Sequence, residues 1–412
     1  MQNPRTVLLI LIAILAVNQM DRTILSILLD DISLEFGLSN TQLGLLSGGV
    51  LIVVYALFGF PIAKLSAGGN RRNIIGLTTA VWSLLTLSVA AAQNFWQLML
   101  ARFGVGIGES GAVVPAHSII SDLYPADRRT SAMASFVVGA NLGVLLAFLV
   151  GGIAGELVGW RGAFLIAGVP GLILSVVLFV FVREPQRDHD ARVLEGSLFL
   201  QTWHAIWRDR GLRHALIGVF LASVLTHAGL TWNAPFMIRT HGLSLIQTGV
   251  FLALSAGILG GAVTWASGQL ADRYGQKNPR FRLGMVAAAI LIGKPFSAAF
   301  AIIEPTVVAL LCLLVPIGLA SVFWGPTFAF LHGRVEPAMR PMATAIFMFA
   351  FSVVGVGVGP TLIGVLSDTV FAASGDRALG WSIVSVQLIG VWSAFHYWIA
   401  MKTLPLRVSL GP

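Results

Sequence analysis

Apolar runs of about twenty residues recur about twelve times along the chain, each long enough to cross a bilayer as a helix. They fall at 6–28, 40–63, 73–92, 95–120, 131–154, 162–182, 213–238, 246–268, 283–303, 307–330, 342–366 and 380–401. The first run starts in MQNPRTVLLILIAILAVNQM and continues without a small-residue cleavage site, so it reads as a retained helix. One long polar segment, 183–214, interrupts the pattern after the sixth run. Its second part, SLFLQTWHAIWRD, has apolar residues at helical spacing and predicts a helix lying on the membrane surface. The pattern predicts an all-α polytopic membrane protein with twelve transmembrane helices in two pseudo-symmetric six-helix bundles. The bundles are expected at 1–182 and 213–412, joined by a cytoplasmic linker at 183–212.

Composition agrees. The 412 residues are 56% hydrophobic and only 11% charged, with mean hydropathy +0.85. Soluble domains carry about 25% charged residues. The net charge of +8 is a topology signal rather than a nucleic-acid footprint. If the N-terminus is cytoplasmic, the inside segments hold most of the cations, including Lys64, Arg71, Arg72, Arg128, Arg129, Arg208, Arg210, Arg213, Arg280, Arg282, Arg334 and Arg340. The outside loops then hold Arg161, Arg239 and Arg377. The positive-inside rule places both termini in the cytoplasm, and the short loops point to a bacterial inner (plasma) membrane. The single cysteine, Cys312, leaves no disulfide, zinc or iron–sulfur site to build. There is no G-x-x-x-x-G-K-[ST] loop for ATP, no nucleophile–base set and no metal-ligand cluster. The expectation is a monomeric membrane protein that is not an enzyme, holds no cofactor and has the bilayer, and no nucleic acid, as a partner.

The halves echo one another. LSAGGNRR at 65–72 matches LADRYGQK at 270–277, and Arg129-Thr-Ser-Ala-Met-Ala matches Arg340-Pro-Met-Ala-Thr-Ala. The offset of about 205–211 residues marks a parallel duplication. Spans five and eleven are both glycine-rich, with Gly139, Gly143, Gly151 and Gly152 in one and Gly355, Gly357, Gly359 and Gly364 in the other. Close helix packing and bending both use such residues, and the sequence leaves the two readings open.

With GQLADRYGQK after span eight and Arg102-Phe-Gly-Val-Gly-Ile-Gly in span four, the chain resembles the major facilitator superfamily over essentially its whole length. Within it the chain looks most like the Spinster-like transporters. The stretches that carry this are NQMDRTILSILLDDI, NRRNII, RFGVGIGESG and PAHSIISDLYPADRRTSAM. That family has a similar Asp-Arg in its first helix and a glycine-rich stretch ending in Glu in its fourth. Its eukaryotic members are associated with sphingosine 1-phosphate export and lysophospholipid transport. Anion:cation symporters share parts of the same helices. The resemblance implies alternating access, with helices one, four, seven and ten around a central cavity. It also implies a cytoplasmic gate formed by Asp272, Arg273 and Arg129. The first-half copy departs from the family, with Ala67-Gly68 where Asp-Arg is usual, so the gate is expected to be asymmetric.

Four ionisable residues lie inside the apolar runs: Asp21 and Arg22 in the first, Arg102 and Glu109 in the fourth. Each costs at least about 2.5–3.5 kcal/mol in hydrocarbon, so such residues mark function by default. Asp21 and Arg22 sit about 24 Å from the inner end of helix one, while Arg102 and Glu109 sit about 10 and 20 Å down helix four from outside. Asp21 and Arg102 are thus expected to pair. Burial opposes ionisation of a carboxylate and a nearby arginine favours it, so a carboxylate that changes partner can carry a proton. Glu109 and Asp21 are the expected proton carriers. Arg22, Arg102 and Lys294 are the expected charge partners or anion ligands, since an arginine fork grips two oxygens. The competing reading is a set of structural ion pairs. Trp232, Asn233, Phe323, Trp324, His117 and His227 are weaker candidates for lining the cavity. Asp30, Asp31, Glu35 and Glu304 are expected in solvated outer loops. Together with these charges, the Spinster resemblance implies proton-coupled transport of an amphipathic lipid-like anion, such as a lysophospholipid or sphingoid phosphate, so that the expected partners are a small-molecule or lipid substrate, protons and the bilayer. The alternatives are symport of a small organic anion, an uncoupled lipid scramblase, or a non-transporting membrane sensor.

Overall fold

The computed structural model describes residues 3–51, 53–54, 57–58, 69–186 and 196–405. Ala67-Gly68 of the cytoplasmic gate, and the linker over 187–195, lie outside the described residues. Every element among the described residues is helical. Eight stretches among them are long and apolar enough to cross a membrane. In chain order the helices are α1 (Pro4–Phe36), α2 (Asn40–Gly44), α3 (Arg71–Val89), α4 (Phe95–Glu109), α5 (Val113–Leu123) and α6 (Ala126–Phe181). They continue with α7 (Gly196–Arg208), α8 (Arg210–His241), α9 (Leu245–Leu252), α10 (Gly260–Gly275) and α11 (Pro279–Ile302). The last are α12 (Thr306–Leu319), α13 (Trp324–His332), α14 (Arg340–Phe349), α15 (Gly355–Asp368) and α16 (Ala378–Lys402).

The chain divides into two compact units: Met1–Val193 with Leu230–Gly257, and Leu194–Gly229 with Ile258–Pro412. Helix α6 folds back on itself at Gly159 (φ 72°, ψ 170°), a conformation open to glycine and closed to most side chains. It thereby supplies two spans.

Helix α1 is longer than the sequence predicts. Its apolar face continues through Ile27, Leu28, Leu29 and Ile32, all buried, and it stops only at the left-handed C-cap Gly37 (φ 64°). Asp30, Asp31 and Glu35 are therefore helical residues rather than loop residues, which corrects the expectation above. Asp30 is buried, and its Oδ1 stands 2.6 Å from Arg239 Nη2.

The helix irregularities repeat with the duplication. A π-helical turn at Leu45–Gly49 is matched by one at Ala253–Leu259. Span four breaks between Glu109 and Val113, and span ten breaks between Leu319 and Trp324. Such interruptions free backbone groups and loosen the helix locally.

The glycines of spans five and eleven do matching work. A Cβ on Gly139 would lie 2.6 Å from the Ile12 carbonyl oxygen, and one on Gly143 would strike the Ala16 carbonyl oxygen. In the second unit a Cβ on Gly359 would strike the Val224 carbonyl oxygen, and one on Gly355 would lie 2.7 Å from His227 Nδ1. Each unit thus packs a glycine face directly on the backbone of a long helix, α1 in the first and the part of α8 up to Gly229 in the second. Gly143→Val should destabilise the protein by about 1–3 kcal/mol through overpacking. Gly261→Ala, whose Cβ meets nothing within 4 Å, should be neutral or stabilising by about 0.5–1 kcal/mol. Unfolding of the two variants in detergent, followed by heat or denaturant, measures both.

Candidate functional site

The charged site belongs to the first unit. Asp21 and Arg22 stand mid-way along α1, while Arg102 and Glu109 lie on one face of α4, seven residues apart. Glycines bring the helices together: a Cβ on Gly108 would lie 2.7 Å from Trp82 Cβ, and one on Gly106 would lie 2.8 Å from Leu51 Cδ2. Alanine at either place would push α4 away from its neighbours and move both charges.

Two ion pairs result. Arg22 Nε stands 2.6 Å from Glu109 Oε2, with the Glu109 side chain wholly buried and that of Arg22 22% exposed. Arg102 Nη1 stands 3.8 Å from Asp21 Oδ1 and donates to the Asp21 carbonyl oxygen at 3.3 Å. The hydroxyl of Thr86 on α3 donates to Asp21 Oδ2. Asp21 and Arg102 are both 1% exposed. The cluster holds two carboxylates and two guanidiniums, so its formal charges cancel. Asp21 is tied on two sides, whereas Glu109 rests on Arg22 and has no further hydrogen-bond partner on either carboxylate oxygen. Glu109 is also the last residue before the break in span four. Of the two acids it has fewer ties and the more exposed partner.

The sequence missed the Arg22–Glu109 contact, because depth along a helix says nothing about which neighbouring residue turns towards it. It also missed Thr86 and Asn18. Asn18 lies one turn before Arg22 on the same face of α1 and is 1% exposed.

Two further charge clusters cap the first unit. Arg71 Nη1 donates to Asp122 Oδ2 at 2.5 Å and to Ser118 Oγ at 2.7 Å, and its Nε donates to Glu184 Oε1 at 2.7 Å. Burial of Arg71 works against its charge, but the hydrogen bonds to Asp122 and Glu184 outweigh it and raise its pKa further above the ordinary range. At the other end of α1, Arg239 donates to Asp30 Oδ1 and to Asn40 Oδ1, each at 2.7 Å. The Ile246 amide near the start of α9 donates to Glu156 Oε2 at 2.8 Å. The sequence signal for the first cluster is the Asp122 carboxylate in SDLYP, two residues beyond the apolar run at 95–120.

The remaining candidates separate. Lys294 does not join the charged cluster: it lies in the second unit, where its Nζ donates to Gln387 Oε1 at 3.3 Å across α11 and α16. His117 packs its ring against Phe136 at 5.1 Å. His227 Nδ1 donates to the Ser223 carbonyl oxygen at 2.9 Å. Trp232 is wholly buried, whereas Asn233 is half-buried. In the second unit Phe323, Trp324 and Phe328 form a stacked row along α13, with ring centroids 4.9 and 5.7 Å apart. Phe351 closes on Trp324 at 4.5 Å. Asp272 and Arg273 are exposed at the end of α10, with Arg273 over the Tyr274 ring at 5.7 Å, and Arg129 is exposed in the first turn of α6. Glu304 is exposed and meets Arg377 at 3.3 Å.

The Arg22–Glu109 pair is open to a direct test. Arg22→Ala leaves a buried carboxylate uncompensated and should cost about 3 kcal/mol, the low end for a broken buried pair because Arg22 is partly exposed. In the Glu109→Gln background the same substitution should cost far less. A double-mutant cycle on unfolding in detergent measures the coupling. Equal costs in the two backgrounds contradict the pairing.

Comparison with known proteins agrees with this architecture. Residues 11–360 match the family described as the Major Facilitator Superfamily. An "MFS-type efflux pump" of Mycolicibacterium smegmatis is 30% identical over 389 residues, covering 93% of this chain and 89% of that one. The "Sphingosine-1-phosphate transporter SPNS2" of Xenopus tropicalis is 27% identical, covering 90% of this chain and 74% of its own. The crystal structure of a bacterial homolog to the human lysosomal transporter Spinster, in an inward-facing and unoccupied conformation, superposes with a TM-score of 0.86 at 25% identity, covering 97% of each chain. This integral membrane protein belongs to the major facilitator superfamily of transporters and, within it, is similar to the Spinster-like family.

Proposed function

We propose that the chain is a proton-coupled secondary transporter, working by alternating access on an amphipathic lipid-like anion such as a lysophospholipid or a sphingoid phosphate. The observation that carries this reading is the buried Glu109 held by a partly exposed Arg22. A proton on Glu109 removes the negative charge that holds Arg22. The cluster then carries one net positive charge, and the freed guanidinium can take two oxygens of a phosphate or carboxylate. An anion on Arg22 in turn favours the proton on Glu109, because two negative charges on one cation repel each other. By linkage, proton and anion each strengthen the other's binding. Asp21, fixed by Thr86 and Arg102, keeps Arg102 from leaving and serves as the second acid of the same circuit.

The positive-inside bias supports cytoplasmic termini in a bacterial inner membrane. On that orientation the Arg71 cluster faces the cytoplasm and the Asp30–Arg239 pair faces outward. Asp272, Arg273 and Arg129 then serve the cytoplasmic gate. A small organic anion is the second reading. It is favoured by the "Probable L-galactonate transporter" of Escherichia coli, which is 26% identical over 88% of this chain.

In proteoliposomes carrying a pH gradient, Glu109→Gln should abolish gradient-driven transport while binding of the anion persists. Full coupling in that variant contradicts the proton role. Thermal stabilisation by lysophosphatidylglycerol that grows as pH falls supports the lipid reading. Stabilisation by sugar acids alone supports the small-anion reading.

A further inference from the structure

We propose that Asn18 is the partner that receives Glu109 once the acid is protonated, a positioning residue for the proton step; this rests on the proton-coupled reading above. Asn18 and Arg22 are four residues apart on one face of α1, so Asn18 lies a single turn beyond the Arg22–Glu109 contact. Its Nδ2 is buried and has no hydrogen-bond partner, and beyond the Arg22 ion pair neither carboxylate oxygen of Glu109 has one. Buried polar atoms of this kind are rare and call for a partner in some other state of the protein.

A crevice of about 10 Å³ opens beside Asn18, lined also by Ala112, Val113 and Ala116, which follow Glu109 along span four, and by Phe136 from α6. Glu109 is the residue just before the break in span four. The turn after it is held by the Ser110 and Gly111 amides, which donate to the Gly106 and Gly108 carbonyl oxygens at 3.2 and 3.1 Å. Its backbone is pinned by Gly108 and Gly111 against Trp82 and Thr78. The side chain can therefore swing towards Asn18 while α4 stays in place. Apart from Asn18 the named lining is apolar, so the crevice suits a neutral acid and not a carboxylate.

The chemistry selects between the two partners. Ionised Glu109 has only acceptors and is best met by Arg22. Protonated Glu109 has one O–H donor and one carbonyl acceptor, the same pair that a primary amide presents. Its O–H donates to Asn18 Oδ1, and Asn18 Nδ2 donates to its carbonyl oxygen. The proton arrives from the aqueous side past the exposed edge of Arg22 and leaves by the same carboxyl group. When it leaves, the two hydrogen bonds break and Arg22 closes on the carboxylate again. The titratable groups around this exchange are Asp21 and Arg22 on α1, Arg102 on α4 and His117 on α5. Helix α3 brings Thr86 and Trp82, and α6 brings Phe136.

Infrared difference spectra of the reconstituted full chain, titrated between neutral and acidic pH, follow the carbonyl stretch of protonated Glu109. That band is identified by its loss in Glu109→Gln. Asn18→Ala should move the midpoint of the band to more acidic pH by about one unit, a tenfold loss in proton affinity, and should raise the stretching frequency. Asn18→Ser, which lacks the amide, should shift it the same way. Asn18→Gln, which keeps the amide, should stay close to the parent protein. The same midpoint and frequency in the alanine or serine variant would overturn the role of Asn18. A parent protein with no band assignable to Glu109 would overturn the proton-coupled reading and this inference with it. A band that is present in the parent and indifferent to Asn18 overturns this inference alone.

Discussion

A charge in the interior of a membrane helix must have a partner, and the Arg22–Glu109 contact is the place where this chain meets that demand most narrowly. Asp21 has a second helix and a hydroxyl to hold it, whereas Glu109 has one guanidinium that is itself partly open. The site is therefore built with unequal tethers. On the proposed mechanism the acid with fewer ties exchanges the proton, and the arginine that holds it turns to an anion. Charge neutrality of the cluster links the two events.

The rest of the first unit is arranged to make that contact possible. Glycines in α4 let it lie against α3 and the helix after α2, and glycines in α6 let it lie on the backbone of α1. Without those close approaches α4 would stand farther from α3, and α6 farther from α1. Helix α4 ends at Glu109, at the break in span four. The second unit repeats the break and the glycine-on-backbone contact, but carries no carboxylate at the matching place, where Leu319 stands. Duplication supplied the scaffold, and the charge chemistry was placed in one copy.

Much of this was legible in the sequence. The span pattern, the repeat offset and the four intramembrane charges follow from hydropathy and from the cost of burying ions. Rise per residue was enough to set Asp21 and Arg102 at one level. It could not foresee that Arg22, the next residue along, turns to Glu109, because azimuth depends on how helices rotate against each other. The end of α1 was misjudged for a clear reason. Charges at Asp30, Asp31 and Glu35 look like a loop, yet the apolar face carries on beneath them and the real stop is the left-handed Gly37. Asp30 tolerates burial because Arg239, 209 residues away, meets it, a partner that local pattern cannot reveal. The glycines of spans five and eleven allow two readings from sequence. Gly143 and Gly359, each too close to a neighbouring carbonyl oxygen to admit a Cβ, show that close packing is one of their tasks.

The central claim is that Arg22 holds Glu109 only while the acid is ionised. Experimental structures determined in lipid on either side of the pH midpoint of transport test it most directly. The account predicts Arg22 Nε against Glu109 Oε2 at the higher pH, and at the lower pH a separated pair with Asp21 still tied to Thr86 and Arg102. An Arg22–Glu109 contact that is unchanged across that midpoint would contradict it.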